Sequence, residues 1–413
     1  FDIPDQETFL KEGAFQKSYS PSLLDLFFRE SVTARQAELE RVQKSTGTTW
    51  MNDYDVNFFK ISYSIISDVT NEEIQVSGLF IVPQVSESMP IYVFAPGTRM
   101  GDNDEVPSEG NTSKTYTTFA ATMASLTGYA TFVPDYVGWG DSGAELHRYI
   151  NANETVQTVL NGLEAAFELE SELINTEQAF DLNGDIFMSG YSQGGISALL
   201  STIYLERFPE KYPNLNLVAS LPMGGVPNLR EHIFTIYNNQ EYSLSAFLPY
   251  ILVSNNDIYQ FYDEITDILD TEDAAAIESC VDSKQYNLDD CNNLITSNDP
   301  LNIYEDNWLE SFLLGSLQGD TSSPLQQYIY ENSAYYLLND WEPQDHMGYR
   351  FYHCDSDTYT FYESDNNFVN YLVNEKNANA VLINPASVDH FECILPSMLD
   401  ALYWLVTNYE AGN

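Results

Sequence analysis

The stretch Gly190-Tyr191-Ser192-Gln193-Gly194 fits the pattern G-x-S-x-G, which sets one serine between two glycines. A serine hydroxyl is a weak nucleophile. Chemistry at Ser192 therefore requires a base, an acid that orients the base, and donors for an oxyanion. The flanking sequence supplies the context the motif needs. The short apolar run "DIFMSG" precedes it, and Ile196, Leu199, Leu200 and Ile203 recur at helical spacing after it. Ser192 would then sit in a strained strand-to-helix turn. Side chains at Gly190 and Gly194 would collide with the adjoining strand or helix, and the following helix would aim its N-terminal N–H groups at the site. The competing reading is a serine that only serves a tight turn.

The base must follow Ser192 and its acid in the chain if the order is serine, acid, histidine. The histidines are His147, His232, His346, His353 and His390. His390, in "INPASVDHFECILPSMLDALYWL", lies between a last strand and a last helix, and a loop position there suits the base. His353 ends the preceding strand and reads as a wall residue or as one that supports the reacting groups from behind. His346 lies at that strand's far end, His232 lies in the intervening segment, and His147 packs near the site without acting as base. The acid is expected in "HCDSDTYTFYESDNNF", where Asp355 and Asp357 both qualify. Asp357 is preferred, since an acid a few residues past the strand end has room to curl back towards His390. Asp389 adjoins His390, so its side chain points away, and it reads as a solvated loop residue. For the oxyanion, one donor is the N–H of Gln193. The other belongs to the loop "APGTRMGDNDEVPS", where Gly97 allows close approach and Thr98 is the preferred donor, with Arg99 the alternative. Loss of such a donor would lower turnover roughly a hundredfold or more.

These residues need a scaffold. "VNFFKISYSII" and "IQVSGLFIVP" read as adjacent strands joined by a polar turn. "IYVFAPG", "ATFVPDY", "DIFMSG", "NLVASLP", "GYRFYHC" and "AVLIN" read as further strands. Helices alternate with them around 113–126, 364–375 and from Glu392, and one long helix buries Val156, Val159, Leu160, Leu163 and Phe167 on one face. Such alternation implies an α/β fold with a mostly parallel central sheet covered on both faces. It breaks over 224–345, which reads as a helical cap inserted between late strands. The core is then 51–223 with 346–413. Residues 1–50, polar with apolar positions at Leu23, Leu26 and Phe27, read as an N-terminal helical extension.

Composition narrows the partners. The chain of 413 residues carries 62 acidic against 16 basic residues, a net charge of -46. Charge of that sign and size argues against nucleic acid and anionic membranes. No apolar run is long enough to span a bilayer, so no stable membrane insertion is expected. A chain that begins at Phe1 reads as a processed form without its leader. The cysteines, Cys280, Cys291, Cys354 and Cys393, lack metal-site spacing, and their even number suits an exported protein with two disulfides. Asn111 and Asn153 lie in N-x-S/T acceptors. Secretion is the expected localisation.

"FAPGTRMGDNDEVPS", "GYATFVPDYVGWGDS", "GYSQGG" and "HFECILPSMLDALYWL", in this order, resemble the α/β-hydrolase fold. More narrowly, they are similar to its secreted esterases and the secretory-lipase (lipase A-like) group. The resemblance covers roughly 55–222 and 345–410. It departs at the oxyanion loop, where many relatives carry His-Gly and this chain carries Pro96-Gly97. The resemblance implies hydrolysis of small-molecule, lipid or polymeric esters without a cofactor, and a lid formed by the cap. It also implies that Cys354–Cys393 ties the acid loop to the base and that Cys280–Cys291 closes a loop in the cap. The expected function is a secreted serine carboxylester hydrolase with Ser192, Asp357 and His390 as triad. A serine peptidase or acyltransferase on the same fold is the alternative, as is a catalytically silent binding protein. Aromatics in the cap, as in "YIYENSAYYLLNDW", are expected to be cap core more than substrate cleft.

Overall fold

The computed structural model describes residues 9–19, 52, 54–102, 104–112, 114–238, 242–296, 302–305, 323–344 and 348–409. Nine strands form one sheet in the order β1-β2-β3-β5-β4-β6-β7-β8-β9. They are β1 (Leu10–Tyr19), β2 (Val56–Ile66), β3 (Glu73–Pro83), β4 (Met89–Ala95), β5 (Ala130–Pro134), β6 (Leu182–Tyr191), β7 (Asn216–Met223), β8 (Gly348–Tyr352) and β9 (Ala380–Ile383). The first three strands pair antiparallel, and β3 also pairs antiparallel with β5. From β5 to the β9 edge every pairing is parallel.

Period-two alternation in β2 separates the two faces of the sheet. Phe59, Ile61 and Tyr63 point to one face, where α2 (Ala152–Leu173) buries Val156, Val159, Leu160 and Leu163. The helix α3 (Gln193–Arg207) adds Ile196, Leu199, Leu200 and Ile203 to the same core. Val56 and Phe58 point to the other face. There they meet Phe119 and Met123 of α1 (Thr115–Thr127) and Leu402 and Leu405 of the last helix. Each such fully buried side chain contributes about 1.5–3 kcal/mol. Two further helices follow the insert, α4 (Tyr362–Asn374) and α5 (His390–Asn408).

Part of the N-terminal extension is a strand rather than a helix. Leu10–Tyr19 pairs with β2 across Leu10↔Tyr63 to Tyr19↔Val56, with two register irregularities. It is an edge strand with largely exposed side chains, so Leu10 alone is buried among its described side chains and little hydrophobic alternation marks it. Leu23, Leu26 and Phe27 lie outside the described residues.

Between β7 and β8 the described chain is helical, including Leu229–Asn238, Phe247–Ser254, Thr271–Ser283, Leu288–Leu294 and Pro324–Asn332. Polar contacts fasten this insert to the core. Arg148 donates to Glu154 and to Asp257 of the insert, at 3.2 and 2.6 Å. Lys284 donates to the carbonyls of Gly138 and Gly143 at 2.7 and 2.8 Å. The aromatic run of the insert is mostly packing, since Tyr328 and Trp341 are buried in the core cluster. No described helix is long and apolar enough to cross a membrane.

Candidate active site

β6 ends at Tyr191, and α3 starts at Gln193. The single residue between them, Ser192, has φ 58° and ψ -118°. A side chain held there costs on the order of 1–3 kcal/mol, which the surrounding packing must offset. The packing leaves no choice at the flanks. A Cβ on Gly194 would lie 1.9 Å from the Ala95 carbonyl oxygen, and one on Gly190 would lie 2.3 Å from that of Gly194. The Ser192 N–H donates to the Met223 carbonyl at 2.9 Å, which pins the turn to β7.

His390 reaches this serine from the opposite side of the site, with Nε2 2.9 Å from Ser192 Oγ. It is not in a loop, as expected from sequence, but is the first residue of α5. The reason is Asp389, whose Oδ1 accepts from the His390 N–H at 2.8 Å and from the Thr358 N–H and hydroxyl at 2.9 Å each. Asp389 is an exposed loop residue, as expected from sequence, and it also caps α5 and fastens it to the loop after β8. Tyr359 stacks on the His390 ring with centroids 5.5 Å apart, and Tyr191 lies at 5.1 Å.

Asp357 completes the line, its Oδ2 2.6 Å from His390 Nδ1. Its Oδ1 accepts from the N–H groups of Tyr359 and Thr360, both at 2.9 Å, and the Thr360 hydroxyl donates to Oδ2 at 3.0 Å. Burial alone would raise this carboxyl, but hydrogen bonds from His353 and His390 hold it well below the usual carboxylate range. Asp355 is exposed and accepts from Ser387 at 3.2 Å, with no contact to His390. Thr360 was not singled out from sequence. Its position three residues after Asp357 is the signal, since a short polar residue there can turn back onto the carboxylate.

The oxyanion candidates gather at the same place. Gly97, Thr98, Ser192, Gln193 and His390 line one cavity of about 250 Å³. The Gly97 N–H is taken by the Tyr116 hydroxyl at 3.2 Å, and the Thr98 hydroxyl lies 3.1 Å from that of Tyr149. Arg99 points away from the cavity, fully buried, with Nη2 donating to the Pro134 carbonyl at 3.4 Å. His147 packs against Gln193, its Nε2 3.1 Å from Gln193 Nε2 and its Nδ1 2.8 Å from the Val137 carbonyl. Burial pushes His147 down to about 4, so the ring is neutral and Nε2 accepts from the amide. His346 lies outside the described residues. The insert completes the cavity wall with Leu244, Phe247, Leu288 and Asp289.

The sulfurs of Cys354 and Cys393 lie at disulfide distance, as do those of Cys280 and Cys291. The first pair joins the segment just after β8 to the first turn of α5. The second sits beside Asn287, Leu288 and Asp289 of the cavity wall. Among the described residues no group of three or more His, Cys, Asp or Glu side chains forms a metal-binding set.

A mostly parallel sheet with a serine at this strand-to-helix turn and an insert between β7 and β8 defines an α/β-hydrolase fold. Solved structures agree over nearly the whole chain. A candidate hydrolase from Legionella pneumophila matches with TM-score 0.78 at 19% identity, covering 98% of this chain and 100% of its own. The rice cell wall degrading esterase LipA from Xanthomonas oryzae matches with TM-score 0.73 at 18% identity, covering 98% and 97%. Candida antarctica lipase A matches with TM-score 0.60 at 16% identity, covering 86% and 79%. No protein-family model and no curated protein matches the chain.

Proposed function

We propose that the protein is a serine carboxylester hydrolase of the esterase and lipase kind. The observation that carries this reading is the unbroken line from Ser192 Oγ through His390 to Asp357, 2.9 and 2.6 Å, with Ser192 and His390 lining one cavity. Ser192 attacks the ester carbonyl while His390 Nε2 takes its proton. Asp357 holds the proton on Nδ1 and stabilises the imidazolium that forms. The N–H groups of Thr98 and Gln193 receive the oxyanion, with His147 steadying Gln193. The tetrahedral intermediate collapses to an acyl-enzyme as His390 returns the proton to the leaving alcohol. Water, activated by the same histidine, then releases the acid.

The esterase and lipase activities of the structural neighbours favour esters over peptides as substrates. The insert over 224–345 acts as a cap that limits which ester enters, above a core formed by 51–223 and 346–413. Two cysteine pairs at disulfide distance fit an exported protein.

A panel of p-nitrophenyl esters of increasing acyl length, run beside p-nitroanilide amides, tests the reading. Turnover of at least one ester, well above every amide, is expected. Amides turned over faster than esters would make the protein a peptidase, and no turnover of either would reject the enzyme reading.

A further inference from the structure

A second histidine stands behind Asp357. His353 directly follows β8 and is fully buried. Its Nδ1 lies 2.7 Å from Asp365 Oδ2 on α4, and its Nε2 lies 2.7 Å from the Thr360 carbonyl oxygen. The same Nε2 is 3.3 Å from Asp357 Oδ2, the oxygen that also receives His390 Nδ1. Both ring nitrogens thus face oxygen acceptors. An imidazole ring serves two acceptors as donor only when both nitrogens carry protons.

The groups around the ring are consistent with that charge. Burial disfavours it, but the carboxylates of Asp365 and Asp357 outweigh burial and push His353 up to about 10. Asp365, itself raised by burial, is drawn back by His353. Tyr362 of α4 lies with its ring 5.9 Å away, edge-on. From the insert, His232 approaches the same cluster, but burial pushes it down to about 3, so it adds no charge. His390 of α5 faces the far side of the Asp357 carboxylate.

We propose that His353, held as an imidazolium by Asp365, is a positioning residue that fixes the Asp357 carboxylate and sets how strongly it favours a proton on His390. The inference rests on reading Ser192, His390 and Asp357 as the triad. With no counter-charge behind it, Asp357 would hold a proton on His390 more tightly, and less of the enzyme would carry a free base at a given pH. The positive charge of His353 offsets part of that pull.

The test compares pH profiles of kcat/KM on a p-nitrophenyl ester for the wild type and the neutral double variant His353→Gln/Asp365→Asn. The acid limb should move to higher pH by about one unit, with activity on the alkaline plateau held within about tenfold of wild type. An acid limb unmoved to within about 0.2 unit overturns the inference, whatever the fall in kcat, because loss of packing alone lowers the plateau without displacing the limb. A wild type that cleaves no ester would instead overturn the triad reading. Should the variant not fold, nitrogen NMR of histidine-labelled wild type decides at pH 8. An imidazolium assigned to His353 upholds the inference, and a neutral ring there refutes it.

Discussion

Asp355 and Asp357 are two residues apart, yet the chain between them turns so that one faces solvent and the other lies beneath His390. Asp357 is bound by two backbone N–H groups, the Thr360 hydroxyl and His390. An asparagine there keeps the shape but offers His390 Nδ1 the wrong partner. Asp357→Asn should therefore lower kcat by about 10⁴, while Asp355→Asn stays within about threefold of wild type. Steady-state kinetics on one ester checks both, and the reverse ranking would assign the acid to Asp355. At this scale the sequence was informative because G-x-S-x-G and a late histidine constrain each other through chain order. The roles of Thr360, Asp365 and Asp389 were hidden, since each depends on which way a loop side chain turns. No local pattern specifies that.

The elements holding these residues differ in how plainly they appear in sequence. The strands from β2 to β9 carry apolar, β-branched or aromatic residues that fit buried sheet positions, and α2 carries its stripe at helical spacing. β1 does not, because an edge strand with mainly exposed polar residues has no buried face to mark it. The placement of His390 in α5 instead of a loop turns on one capping carboxylate, Asp389. Contacts between elements are less legible still. Glu206 on α3 accepts from Trp341 Nε1 at 2.7 Å and from the Tyr349 hydroxyl at 2.6 Å, joining α3 to the end of the insert and to β8. Burial pushes this carboxyl from 4.5 up to about 7, against the pull of those hydrogen bonds. The folded chain thus binds the proton more tightly than the unfolded chain. Stability from this group is present at low pH and is lost as pH rises from about 4.5 to about 7. Glu206→Gln removes the titration. Between pH 5 and pH 8 the Tm difference should shift in the variant's favour by roughly 1–3 °C, and a constant difference would show that Glu206 does not titrate there.

Across the whole molecule, the candidate residues come from segments far apart in sequence that meet at the carboxyl ends of the parallel strands. Thr98 follows β4, Ser192 follows β6, Asp357 follows β8 and His390 follows β9. Parallel strands bring their carboxyl ends to a common side, so residues from four segments converge there, and the insert supplies part of the wall. The alternation of strands and helices made this arrangement readable, whereas the described helices between β7 and β8 carry no such alternation. How the insert folds was not readable, because its helices are short and pack on one another and on the core rather than repeating a pattern. On the triad reading, this convergence makes one serine of the chain reactive. Incubation of the folded protein with a fluorophosphonate, followed by peptide mass mapping, tests it most directly. A single adduct on Ser192, lost in His390→Ala, is expected; an adduct on another serine, or none on the folded wild type, would overturn the triad reading.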